Sequence, residues 1–103
     1  MAINNYSIWF TTNAKHELLE IYEYISNSLK SKITADNLME QIEKKIIRLS
    51  IFPYSCMKVR TKPRSTIYRK LNIKNYLILY KIDQYKKRVD IVHIFYSRRD
   101  YLE

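Results

Sequence analysis

Glycine is absent from all 103 residues. That absence excludes a GxGxxG dinucleotide turn, a Walker-type phosphate loop and a glycine-bearing nucleophile elbow, because each needs backbone that only glycine supplies. Proline occurs twice, histidine twice (His16 and His93) and cysteine once (Cys56). A lone cysteine closes no internal disulfide and suits a reducing compartment. Neither histidine stands within a few residues of a strong ligand pair, so no metal and no other cofactor is expected. Apolar runs are too short to span a membrane, and residues 1–5 have neither the basic nor the apolar segment of a leader. A cytoplasmic protein without a membrane partner is the expectation.

What is present is apolar side chain and positive charge. Hydrophobic residues make up 47% of the chain, enough for one ordinary core, so residues 1–103 are expected to form a single domain. Residues 1–52 hold six basic and six acidic side chains, whereas the remainder holds thirteen basic against four acidic. The whole net charge of +9 therefore belongs to the second half. Such asymmetry within one domain makes a basic face, which fits a polyanion such as nucleic acid or an acidic protein.

Residues 6–11 are aromatic and β-branched and predict a first strand with Tyr6, Ile8 and Phe10 on one face. Ala14, Leu18, Ile21, Tyr22, Ile25 and Leu29 then recur at helical spacing, with Thr12 or Asn13 as the N-cap. A polar break through residues 26–32 leads to a second apolar stripe, Ala35, Leu38, Met39, Ile42, Ile46 and Leu49, stopped at Pro53. Residues 54–65 carry the alternating basic set Lys58, Arg60, Lys62 and Arg64 and read as a loop or irregular edge strand. Strand-like runs follow at 66–73, 75–82 and 88–96, joined by short turns into an antiparallel meander. The run Leu77, Ile78, Leu79, Tyr80 is apolar on both faces, which marks a central strand. The expected class is α+β in the order β-α-α-β-β-β, with a helical hairpin packed on one face of an antiparallel sheet.

Strand alternation places Arg69 with Ile67, Leu71 and Ile73. There it is either a snorkelling or paired structural residue or a phosphate clamp, since its planar fork matches phosphate oxygens. Arg98 and Arg99 follow the last strand, and because adjacent residues face opposite ways only one of them can join Arg69. Tyr96 and Tyr101 flank them with rings for stacking and hydroxyls for hydrogen bonds. Cutting RNA without a metal needs a base, an acid and positive charge on the phosphate. The charge is abundant and the proton carriers are few: His93 shares parity with Val89, Ile91 and Phe95 and is expected in the core.

The stretches "AKHELLEIYEYISNS", "LSIFP", "YRKLNIKNYLILYKID" and "VDIVHIFYSRRDYLE", in that order, resemble RelE/ParE toxins of bacterial type II toxin–antitoxin systems. The resemblance implies a growth-inhibiting toxin silenced by a cognate antitoxin that covers its basic site. Its members are either ribosome-dependent, metal-independent mRNA endonucleases of the RelE type or inhibitors of DNA gyrase of the ParE type. In the RelE type, basic residues before and within the sheet and an arginine and tyrosine near the C-terminus act on RNA. Lys58, Lys62, Arg99 and Tyr101 occupy comparable places. The expected catalytic set is Arg69, Arg99 and Tyr101, and the expected substrate-binding set is Lys58, Arg60, Lys62, Arg64, Arg98 and Tyr96. Two positions differ from the nuclease pattern: Leu77 stands where many nucleases have an arginine, and Tyr96 where some have a histidine. The basic, stacking-capable second half favours the nuclease, with ribosome and mRNA as partners. A gyrase inhibitor, or a non-catalytic member that binds only its antitoxin, is the alternative.

Overall fold

A computed structural model describes residues 5–60 and 67–96. Strand β1 (Ser7–Phe10) leads into helix α1 (Thr12–Glu23), a π-helical turn (Tyr24–Ser28) and helix α2 (Lys32–Arg48). Strands β2 (Lys58–Arg60), β3 (Ile67–Ile73), β4 (Tyr76–Asp83) and β5 (Arg88–Tyr96) complete the described chain. The α+β class and the helical hairpin on one sheet face are as expected. The sheet itself is mixed, with five strands in the order β1-β5-β4-β3-β2.

Its one departure from an antiparallel sheet is β1, which pairs with β5 in parallel. No hairpin turn joins these two strands, so turn geometry does not dictate their relative direction. The basic segment after Pro53 contributes β2, a three-residue edge strand antiparallel to β3. β4 lies at the centre of the sheet, and Leu77, Ile78, Leu79 and Tyr80 are all buried.

Thr11, one residue before the expected position, caps α1: its hydroxyl accepts from the Ala14 N–H at 3.1 Å and donates to the Val92 carbonyl at 3.1 Å. The apolar stripe of α1 holds as far as Ile25. The π turn then changes the pitch, with the Leu29 N–H donating to the Tyr24 carbonyl, and Leu29 is left 57% exposed, off the stripe that helical spacing assigns it. Ser31 caps α2, whose Ala35, Leu38, Ile42 and Ile46 are buried, with Leu49 buried at its C-cap. The helix ends at Arg48, ahead of Pro53, where the chain tightens into three-residue bonds: Leu49 donates to Ile46, Ser50 to Ile47, and Ile51 to Arg48. With no glycine to take left-handed backbone, lysines do so at Lys30, Lys74 and Lys87, with φ of 52°, 52° and 51°.

The helices cover one face of the sheet, where Ile73, Ile78, Tyr80, Val89, Ile91 and Ile94 meet Ala14, Leu38, Ile42 and Ile46. A second, smaller cluster, Val59, Leu77, Leu79 and Phe95, belongs to the opposite face. A bulge interrupts the β4–β5 register. Leu79 pairs with His93 and Tyr80 with Ile91, which leaves Val92 as the extra residue of β5. Simple alternation therefore fails across it: Ile91 faces the helices, while His93 and Phe95 face away, contrary to the expected core histidine.

Candidate functional site

On the helix-covered face, cross-strand pairing sets Lys58 directly opposite Arg69 and Arg69 opposite Tyr80. Two expected site cations thus stand side by side at the β2–β3 edge, Lys58 exposed and Arg69 half-buried. The Arg69 fork donates to the carbonyls of Cys56 at 2.6 Å and Tyr54 at 3.3 Å, and its carbon lies 5.1 Å from the centre of the Tyr54 ring. Beside it the Tyr80 hydroxyl donates to the Pro53 carbonyl at 2.8 Å, and burial pushes that phenol above its ordinary range. Arg69 and Tyr80 together fasten the loop after α2 to the sheet. Both bonds come from Nη1, so one arm of the fork that could clamp a phosphate is here engaged with backbone.

Tyr96 lies elsewhere. It pairs with Tyr76, four residues along β4 from the level of Arg69, or about 13 Å at the usual strand rise. The two phenol rings meet edge to face at 5.7 Å. They line a cleft of about 660 Å³ with Ile21, Tyr24, Leu29, Ile94 and Phe95, and its charged residues are Glu17 and Glu20. Burial, then the Tyr96 and Tyr24 phenols, raise Tyr76 above the usual tyrosine range. Such walls suit an apolar or aromatic group rather than a phosphate.

Glu17 has a further duty that its place off the apolar stripe did not announce. Its carboxylate accepts from the Ile94 N–H at 2.9 Å and lies 3.4 Å from His93 Nδ1, so it caps β5 beyond the point where β1 ends. His93 is thereby engaged, with 38% of its side chain exposed, and touches the Phe95 ring at 6.2 Å.

The face away from the helices has an apolar centre. Leu77 is 2% exposed there among Val59, Leu79 and Phe95, while Lys70 shares that face opposite Leu79. At one corner of the same face Trp9 lies under the Arg88 guanidinium, which pairs with Asp90. The adjoining β4–β5 turn is shaped by Asp83, whose carboxylate accepts from the Tyr85 and Lys86 N–H groups. The Lys86 hydrogen bond holds that carboxyl below its ordinary range. Of the remaining expected site residues, Arg60 ends β2, and Lys62, Arg64, Arg98, Arg99 and Tyr101 lie outside the described residues. The geometry thus joins Lys58 to Arg69 and separates both from Tyr96.

A family model described as the ParE toxin of type II toxin–antitoxin systems, parDE, matches residues 8–101. Among solved structures, the chromosomal ParDE toxin–antitoxin system from P. aeruginosa aligns with a TM-score of 0.72 at 16% identity, covering 90% of this chain and 97% of that one. The RelBE2 toxin–antitoxin complex from Mycobacterium tuberculosis aligns at 0.64 and 19% identity, covering 92% and 94%. The isolated RelE toxin of E. coli aligns at 0.54 and 17%, covering 92% and 87%. The sequence matches no curated protein.

Proposed function

The chain belongs to the ParE toxin family of type II toxin–antitoxin systems, and we propose that it arrests growth by binding DNA gyrase, without hydrolysing RNA. A cognate antitoxin is its other partner, and the cytoplasm, where gyrase works, is its compartment. The observation that carries this reading is Leu77. At the position where the RelE pattern has a phosphate-stabilising arginine, this side chain is buried in an apolar cluster with Val59, Leu79 and Phe95. Losing one preorganised cation or donor at a developing negative charge costs about 3 kcal/mol of transition-state stabilisation. Arg69 offers poor compensation, because it stands on the helix-covered face of the sheet, opposite to Leu77, and its Nη1 donates to the Cys56 and Tyr54 carbonyls.

The juxtaposition of Lys58 and Arg69 favours a second reading, an mRNA endonuclease in which Arg69, Arg99 and Tyr101 act on the phosphate and Lys58, Arg60, Lys62, Arg64, Arg98 and Tyr96 hold the strand. Two measurements on induced cells separate the readings. Gyrase inhibition gives loss of plasmid supercoiling and gyrase-linked double-strand breaks, with transcripts intact by primer extension. New transcript ends within translated codons, with normal supercoiling, would replace this proposal by the nuclease. Unimpaired growth with the antitoxin still bound would leave only a binding role.

A further inference from the structure

Trp9 is the only tryptophan in the chain, and it is 57% exposed on the edge strand β1. Its neighbours Ile8 and Phe10 pack toward the helices, so alternation turns the indole to the opposite face. The parallel register sets Trp9 beside Asp90 and Ser7 beside Arg88, while β4 places Lys81 opposite Asp90 and Asp83 opposite Arg88. Arg88 reaches across this row to lie over the indole, 5.2 Å from its centre.

The guanidinium is held there. Asp90 is only 8% exposed, and its carboxylate is 2.8 Å from Arg88 Nε and 3.4 Å from Nη2. The Nε–H is buried and not aligned on the carboxylate, so the close contact is a charge pair rather than a formed hydrogen bond. Arg88 therefore makes one side-chain hydrogen bond among the described residues, the long one from Nη2, and its outer donors are unused. Beside it is a shallow cavity of about 310 Å³ lined by Lys81, Asp83, Tyr85, Arg88 and Asp90. Tyr85, at the hairpin tip, is 92% exposed, and Lys86 and Lys87 are exposed next to it.

Both acids of this corner have internal partners: Asp83 accepts from the turn amides and Asp90 pairs with Arg88. What faces outward is two aromatic rings, one oriented guanidinium and three lysines. We infer that this corner binds single-stranded nucleic acid, bases stacking on the exposed Tyr85 ring and on the outer face of the guanidinium that covers Trp9, while flanking phosphates meet Lys81, Lys86 and Lys87. Unpaired bases stack on exposed aromatic and guanidinium faces, and a duplex does not offer those base faces. The site lies across the sheet from Arg69 and Lys58, so it holds for a gyrase-bound DNA target and for an RNA target alike.

The test uses the full chain and an oligothymidylate of about a dozen residues, read by the emission of its one tryptophan. Saturable quenching is expected. With three phosphates neutralised, affinity should fall roughly 20-fold between about 50 and 200 mM salt. Replacing Lys81, Lys86 and Lys87 together by Gln should flatten that dependence. Tyr85→Ala, at an exposed turn, should weaken binding about tenfold, and Arg88→Lys, which keeps a charge for Asp90 but loses the plane, should reduce the quenching. Equal quenching by a duplex of the same length overturns the inference. So does oligonucleotide binding, followed by the anisotropy of a label, that leaves Trp9 emission unchanged, and so does the absence of binding, which would leave the corner to a protein partner.

Discussion

Two arginines lie over aromatic rings at opposite edges and on opposite faces of the sheet, in nearly the same pose: Arg69 5.1 Å from Tyr54 and Arg88 5.2 Å from Trp9. Their acceptors differ. Arg69 donates to two neutral carbonyls, and Arg88 pairs with a buried carboxylate. The stacked pose therefore says little about duty, and the acceptor says most of it. Arg69 closes a loop and keeps a charge that no carboxylate balances among the described residues; Arg88 neutralises Asp90 and is itself oriented.

Truncating each arginine should expose this difference most strongly. Arg88→Ala is expected to cost about 3 kcal/mol, the low end for stranding one partner of a buried pair, because 28% of the Arg88 side chain is already exposed. Arg69→Ala is expected to cost about 2 kcal/mol, the worth of charged hydrogen bonds to carbonyls. Urea unfolding with and without Asp90→Leu separates them. The Arg88→Ala deficit should largely vanish when Asp90→Leu is added, because no carboxylate is then left stranded. The Arg69→Ala deficit should stay constant in that background. An Arg88→Ala loss that persists beside Asp90→Leu would mean that Asp90 is not what holds the guanidinium, and the comparison would break.

The Arg69 side can be sharpened through the other tie on the same loop, the Tyr80 hydroxyl on the Pro53 carbonyl. Tyr80→Phe should cost about 1 kcal/mol at neutral pH. Burial raises the folded-state phenol above its unfolded value. Its contribution is therefore complete below the unfolded value, near 10, and is lost as the pH rises from there. Tyr80→Phe should accordingly lose less stability than the wild type on going to alkaline pH, measured by thermal unfolding across that range. Parallel alkaline losses in the two proteins would mean that the hydroxyl is not confined by burial.

The two corners were also unequally legible in the sequence. Parity alone placed Arg69 with Leu71 and Ile73, and the doubly apolar run Leu77 to Tyr80 identified the central strand, because both signals are local and have the strand period of two. Arg88 and Asp90, two apart in one strand, form a local signal that could have been read as a same-face ion pair. Trp9 could not have been joined to them, since the parallel β1–β5 register brings together residues some 80 positions apart with no turn to announce it. The bulge at Val92 and the π turn after Glu23 are single-residue changes of phase, and each reversed one expectation, the core placement of His93 and the burial of Leu29. Nothing in "VDIVHIF" or "YISNS" marks them. Glu17 was hidden for another reason: a carboxylate on the polar side of a helix looks like any solvated acid until the uncovered strand edge beside it is known.

The smallest expected effect concerns how the Arg88 corner is built without glycine. Lys87 takes φ of 51°, immediately before Arg88, and its carbonyl accepts from the Ser7 N–H at 2.9 Å, which starts the β1–β5 register that brings Trp9 to Asp90. A side chain in left-handed backbone costs roughly 1–2 kcal/mol, and glycine avoids that cost while giving up about 0.5–1 kcal/mol of chain entropy. Lys87→Gly should therefore stabilise the fold by about 0.5 kcal/mol, a rise of roughly 2–4 °C in Tm for a domain of this size. Lys87→Val, β-branched and intolerant of that region, should lower it instead. The Arg69 corner supplies the control, because positive φ occurs nowhere among the described residues of its loop, and the same two substitutions at Lys58 should reverse in sign, glycine weakening the edge strand and valine favouring it. If Lys87→Gly is destabilising as well, the lysine is held by contacts stronger than its backbone strain, and the absence of glycine is not what limits this turn.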